Sequence, residues 1–135
     1  MATFTKINSF VEDLAEKVHN LGSDQLKVAL TNTAHTSTWG QLSDLTEISY
    51  TNLSSRNITT TSSAQTSGTY KLVLDDLVLT ASGAVGPFRY VYIYNDTASN
   101  DELIGYYDYG SSISLANTDT FTIDFDQSNG ALTLV

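Results

Sequence analysis

The chain contains no cysteine, so a disulfide scaffold, a thiolate nucleophile and any Cys-bearing zinc site are all excluded. It carries no GxSxG nucleophile elbow, no HExxH and no glycine-rich phosphate loop. Its two histidines, His19 and His35, are not spaced as metal ligands. No stretch approaches the roughly 18 apolar residues needed to span a bilayer. The opening MATFTKINSF has neither an apolar run nor a basic lead, which predicts no signal peptide. Nothing basic follows Arg89, whereas Asp96, Asp101, Glu102, Asp108, Asp119, Asp124 and Asp126 do. With a formal net charge of -9, such a surface repels phosphate backbones. These absences predict no nucleic-acid partner, no membrane, no cofactor, no metal and no catalytic residue. There is also no βαβ alternation, no heptad and no internal repeat.

What is present centres on Pro87 to Tyr109, which holds six of the eight tyrosines. Tyr90, Tyr92 and Tyr94 share one parity, and Val91 and Ile93 share the other. Successive side chains of a strand point to opposite faces, so this predicts a tyrosine row backed by an aliphatic row. NDTASNDE, all small or polar, predicts a turn, and LIGYYDYG a second strand with large side chains on both faces. Gly105 within it marks a bulge or a close backbone approach.

The 135 residues fit a single domain, with a helical region at 1–22 and a β domain at 23–135. Ile7, Phe10, Val11, Leu14, Val18 and Leu21 recur at helical spacing, predicting an amphipathic helix over about residues 5 to 20. Ser9 and Glu12 fit a capping box, Asp13 and Lys17 an i,i+4 pair, and Gly22 a C-terminal stop. Leu26, Val28 and Leu30 alternate with Lys27, Ala29 and Thr31, predicting a strand. A Thr-, Ser- and Asn-rich region at 33–68 reads as a surface excursion, or an arm that orders on a partner. In KLVLDDLVLT the leucine parity slips across Asp75 and Asp76, predicting a bend there. Phe121, Ile123 and Phe125 alternate with polar residues, and QSNG then predicts a C-terminal hairpin into ALTLV. About seven or eight short strands after one helix predict a mainly β fold. Its form is an antiparallel β-sandwich or a jelly-roll-like barrel.

Each candidate site has a plain structural alternative. His19 sits at a helix end, where a charged imidazole is favourable without any catalytic role. The adjacent Asp75 and Asp76 would face opposite ways in a strand, so a bend suits them better than a glycosidase pair. Asp124, Asp126 and Ser128 resemble the start of a calcium loop, but Asn129 stands where glycine is needed. An outward acidic edge is the better reading, with a weak calcium site as the alternative. Tyr90, Tyr92 and Tyr94 are interface candidates if exposed, a sugar-stacking surface if grooved, and core if the helix covers them.

Four blocks carry a family resemblance: FVEDLAEKVHNLGSDQLKVALTNTA, QTSGTYKLVLDDLVLTASGAVGPFRYVYIYND, LIGYYDYGSSISL and TFTIDFDQSNGALTLV. They resemble small structural proteins of tailed bacteriophages, of the capsid cement or decoration type. The resemblance spans nearly the whole chain apart from 36–64. It implies a non-enzymatic virion protein, assembled in the host cytoplasm, whose partners are the major capsid protein and further copies of itself. A homotrimer would match the local three-fold positions of an icosahedral shell. The alternative place is the tail or baseplate, as a carbohydrate-binding adhesin module.

Overall fold

The computed structural model describes residues 2–135, which form ten strands and one short helix. In chain order these are β1 (Phe4–Lys6), α1 (Phe10–Ala15), β2 (Leu26–Thr31), β3 (Asn57–Ile58), β4 (Thr60–Thr66), β5 (Thr69–Leu74), β6 (Leu77–Thr80), β7 (Val85–Asn95), β8 (Leu103–Leu115), β9 (Thr120–Ile123) and β10 (Leu132–Leu134). A five-stranded antiparallel sheet runs β1-β8-β7-β2-β3, a three-stranded one β10-β5-β4, and β6 pairs with β9. The fold is mainly β, as expected, and its arrangement is sandwich-like.

The predicted parity of β7 is the axis of this architecture. Val91 and Ile93 pair across β2 with Leu30 and Val28, and all four are buried. That face joins one hydrophobic cluster with Leu72 and Leu74 of β5, Leu79 of β6, Ile123 and Phe125. Tyr107 of β8 reaches the same side, with its ring 5.8 Å from Phe4 and 6.1 Å from Phe125. Strand β8 is longer than expected, because Ser112–Leu115 continues it beyond Gly110. At Gly105 the close approach is real: a Cβ there would lie 2.2 Å from the Phe4 ring.

The bend at Asp75 and Asp76 exists, and it moves the chain from one sheet to another between β5 and β6. Leu72, Leu74 and Leu79 are buried and Leu77 is half-buried. The C-terminal hairpin does not form. Strand β9 pairs with β6, and β10 pairs with β5, so the QSNG turn carries the chain between sheets. Alternation identified both strands correctly, but pairing is a long-range choice that a local turn does not make.

The helix is the largest departure. It spans only Phe10–Ala15, because residues 4–6 are drawn into the sheet against β8. Ser9 makes no side-chain cap bond, so the capping box is not used. The stop is Lys17 and not Gly22: Lys17 adopts φ 71, with Val18 N–H donating to Asp13 O and Lys17 N–H to Leu14 O. This is a Schellman end with lysine at the left-handed position that usually holds glycine. Lys17 has left the helix, and it makes no ion pair with Asp13. Of the expected stripe, Ile7, Phe10 and Leu21 are buried, Leu14 and Val18 are half-buried and Val11 is exposed.

Two outcomes test this helix in urea or thermal unfolding. Phe10→Ala should cost about 3–5 kcal/mol, and Leu14→Ala clearly less, because only Phe10 is enclosed. Lys17→Gly should stabilise by about 0.5–1 kcal/mol, the relief of left-handed strain exceeding the added entropy of the unfolded chain. A lower melting temperature for Lys17→Gly would contradict the left-handed cap.

Candidate functional site

Tyr90, Tyr92 and Tyr94 are buried, at 7%, 0% and 2% exposure. They do not present a free aromatic row, and the helix is not what covers them. The polar excursion does. His35 Nδ1 lies 2.9 Å from the Tyr92 hydroxyl, and its ring stacks on Tyr106 at 4.4 Å. Tyr92 and Tyr106, paired across β7 and β8, stack at 5.2 Å, and Trp39 meets His35 edge-on at 5.7 Å. Further along, Arg56 stacks 3.7 Å over the Tyr50 ring. Burial pushes the Tyr92, Tyr94 and Tyr50 phenols up.

The same excursion closes the open side of β2. Arg56 Nη1 donates to Val28 O, Leu30 N–H donates to the Tyr50 hydroxyl, and Ile48 N–H donates to Leu30 O. A short 3-10 turn at Leu42–Asp44, with the Gln41 and Asp44 side chains capping it, fixes the path over the tyrosines. The segment expected as a surface excursion is therefore a folded cover. An edge strand left bare would be a template for unwanted pairing, and the cover removes it.

The acidic pairs accept hydrogen bonds from nearby backbone and side-chain donors. Asp76 Oδ1 accepts from Phe125 N–H, and Asp75 Oδ1 accepts from Gln127 Nε2. Asp124 Oδ1 accepts from Asp126 N–H, and both Asp126 oxygens accept from Asn129. The Asn129 bonds hold the Asp126 carboxyl below its ordinary range. Ser128 offers its carbonyl to Lys71 Nζ. These residues tie the corner and the last turn together.

A polar cluster that the sequence reading passed over lies at the other end of β7. Asn95, fully buried, takes a slot in the Val91–Ile93 row, and this polar residue in an apolar parity set was its one legible signal. Its Oδ1 accepts from the N–H groups of Thr97 and Ala98. Its Nδ2 therefore points the other way, to Asp24 Oδ2 at 2.7 Å and His19 Nδ1 at 3.0 Å. With Nδ1 accepting, the imidazole proton resides on Nε2. His19 is thus buried and neutral, not a charged helix terminus. Burial pushes its pKa down, against the opposing pull of Asp13, Glu102 and Asp24.

Glu102 is 7% exposed, and its Oε1 accepts from Asn100 Nδ2. Neither His19 Nε2 nor Glu102 Oε2 has a partner. Leaving such a group unpaired costs about 1–3 kcal/mol each. Both residues line one cavity of about 860 Å³ between the α1–β2 connection, the β7–β8 turn and β4–β5. Sequence offered no route to Glu102 or Asp24, which read as ordinary surface acids.

Comparison with protein-family models, curated proteins and solved structures finds no match for this chain.

The neutral His19 has a measurable consequence. Its folded pKa lies below the ordinary value of 6.5, so the unfolded chain takes up the proton first. Stability should therefore fall as pH drops from above 6.5 to below it. His35, also held low by burial, contributes in the same direction. In urea titrations across that range, His19→Gln should show a shallower decline than the parent. An unchanged slope would remove His19 as the titrating group.

Proposed function

We propose that the protein is a non-enzymatic structural component of a tailed-phage virion, a cement or decoration protein that binds the assembled head and stabilises it. The observation that carries this reading is where the family-resembling blocks fall in the fold. They supply α1, β2 and all of β5 to β10, which is nearly the whole framework. The segment outside them, 36–64, supplies the 3-10 turn, β3 and most of β4. The resemblance is thus one of scaffold, and the cover is the part free to be fitted to a particular shell.

The buried tyrosines no longer serve as the contact surface in this reading. Among the described residues the large exposed hydrophobics are Val11, Val78 and the terminal Val135. Binding to the shell is then polar, through the outer face of the cover and the acidic side chains of Asp96, Asp108, Asp119 and Asp124, all exposed. Three copies gather at a local three-fold position because the shell presents three sites, and not through an apolar seam of their own. A protein that binds only the assembled shell stabilises it by mass linkage, RT ln(1 + [L]/Kd).

The test is electron microscopy of virions carrying labelled protein, followed by heating of particles with and without it. Label on the head, heads that survive longer when decorated, and binding that weakens with salt are expected. Label confined to the tail tip, with heads equally heat-resistant either way, would overturn the head assignment in favour of the tail or baseplate.

A further inference from the structure

We propose that two copies of the chain pair edge to edge through β4, antiparallel about a two-fold axis at Ala64, so that two three-stranded sheets become one of six strands. The inference goes beyond the virion reading and does not rest on it. Strand β4 ends its sheet, and at seven residues it is the longest strand with an unpartnered edge among the described residues. Its hairpin with β5 closes through the two-residue loop Ser67–Gly68, both at positive φ, so Thr66 and Thr69 form a hydrogen-bonded pair. Alternation then turns the backbone N–H and C=O of Ser62 and Ala64 towards β5, and those of Ser63 and Gln65 outward. No backbone partner from elsewhere in the chain meets these outward groups. The irregularity between Thr60 and Ser62 ends the regular edge on that side.

The occupant follows from register and charge. With the axis at Ala64, Ser63 lies opposite Gln65 of the second copy and Gln65 opposite its Ser63, so every outward group finds a partner. Ala64 faces its own image in the non-hydrogen-bonded position, where strands approach most closely and a methyl group fits. All 15 acidic residues lie outside 48–74, and 57–70 carries no charge of either sign. Two copies with a net charge of -9 repel over most of their surface, and the β4 edge is where they can meet without opposing like charges. Asp24, which lines the hollow beside Thr60, is already held by Asn20 N–H and Asn95 Nδ2. The edge also lacks the lysine or proline that ordinarily blocks such pairing. The contact is isologous and consumes both β4 edges, leaving the three-residue β10 at either end of the joined sheet. It therefore closes at two copies and does not propagate.

The experiment is sedimentation equilibrium on the full chain from micromolar to millimolar concentration. The mass should rise from 14.7 kDa towards twice that value. Added salt should strengthen this pairing by screening the repulsion between like-charged copies, whereas it weakens the proposed contact with a shell. Ser63→Pro removes an outward N–H that the folded chain does not use, and should leave a monomer with the parent's melting temperature in dilute solution. Should that variant fold poorly, Ala64→Lys sets two ammonium groups opposite each other from an exposed position and should also be monomeric. Because the chain has no cysteine, Ala64→Cys introduces a single thiol that should oxidise to a cross-linked dimer. Ser62→Cys, on the same face but with its two copies about 14 Å apart, should not cross-link. A monomer at every concentration overturns the proposal, as does a trimer or a dimer that Ala64→Lys retains. So does cross-linking of Ser62→Cys as fast as that of Ala64→Cys.

Discussion

Strand β7 is buried on both faces, and the rest of the structure answers that constraint. A strand of a two-layer sandwich ordinarily shows one face to water, with polar residues alternating outward. Here the outward set is Tyr90, Tyr92 and Tyr94, too much aromatic surface to leave wet. The inner face is closed by the aliphatic cluster shared with the second sheet. The outer face can be closed only by something that is not a sheet, and the 33–56 segment does this with His35, Trp39, Tyr50 and Arg56. A Thr- and Ser-rich segment has too few apolar side chains to form a layer by itself. It succeeds because the tyrosine row supplies the apolar area and a hydroxyl partner, as Tyr92 does for His35, while the segment's own Tyr50 hydroxyl accepts from Leu30 N–H.

At the end of the same strand the burial requirement turns polar. Asn95 occupies a core slot, and a buried amide must have its donors and acceptor satisfied. It meets this by capping the β7–β8 turn with its oxygen and gripping Asp24 and His19 with its nitrogen. One side chain therefore fixes the turn, the α1–β2 connection and the tautomer of an imidazole. The unpaired Nε2 and Oε2 beside it are the places where the fold leaves hydrogen-bonding capacity unspent. Such unspent capacity is expensive in a structural core.

The surface that remains is polar and acidic, with strand edges managed locally. The edge of β2 is capped by the cover and β3, β1 is only three residues long, and the exposed β4 is built of Thr, Ser, Ala and Gln. Short or polar edges discourage open-ended sheet growth. A protein that must sit at high density on a particle without aggregating needs that property. The proposed cement role and the edge chemistry are physically consistent with each other.

What the sequence determined by itself was local. Period-two alternation located β2, β5, β6, β7 and β9, and the parity slip at Asp75–Asp76 located the corner between β5 and β6. Gly105 was legible because a missing side chain within an aromatic strand implies a close neighbour, and Phe4 is that neighbour. These succeed because strand sidedness depends on adjacent residues alone. What only the tertiary structure decided was partnership. The helical spacing from Ile7 to Leu21 was real, yet β8 claimed residues 4–6 and a left-handed Lys17 ended the helix early, since sheet pairing outweighs the propensity of a short helix. The C-terminal strands went to β5 and β6 and not to each other. The tyrosine row was correctly a row, but whether water, helix or cover lay above it depended on a segment thirty to sixty residues away in sequence, about which local periodicity carries no information.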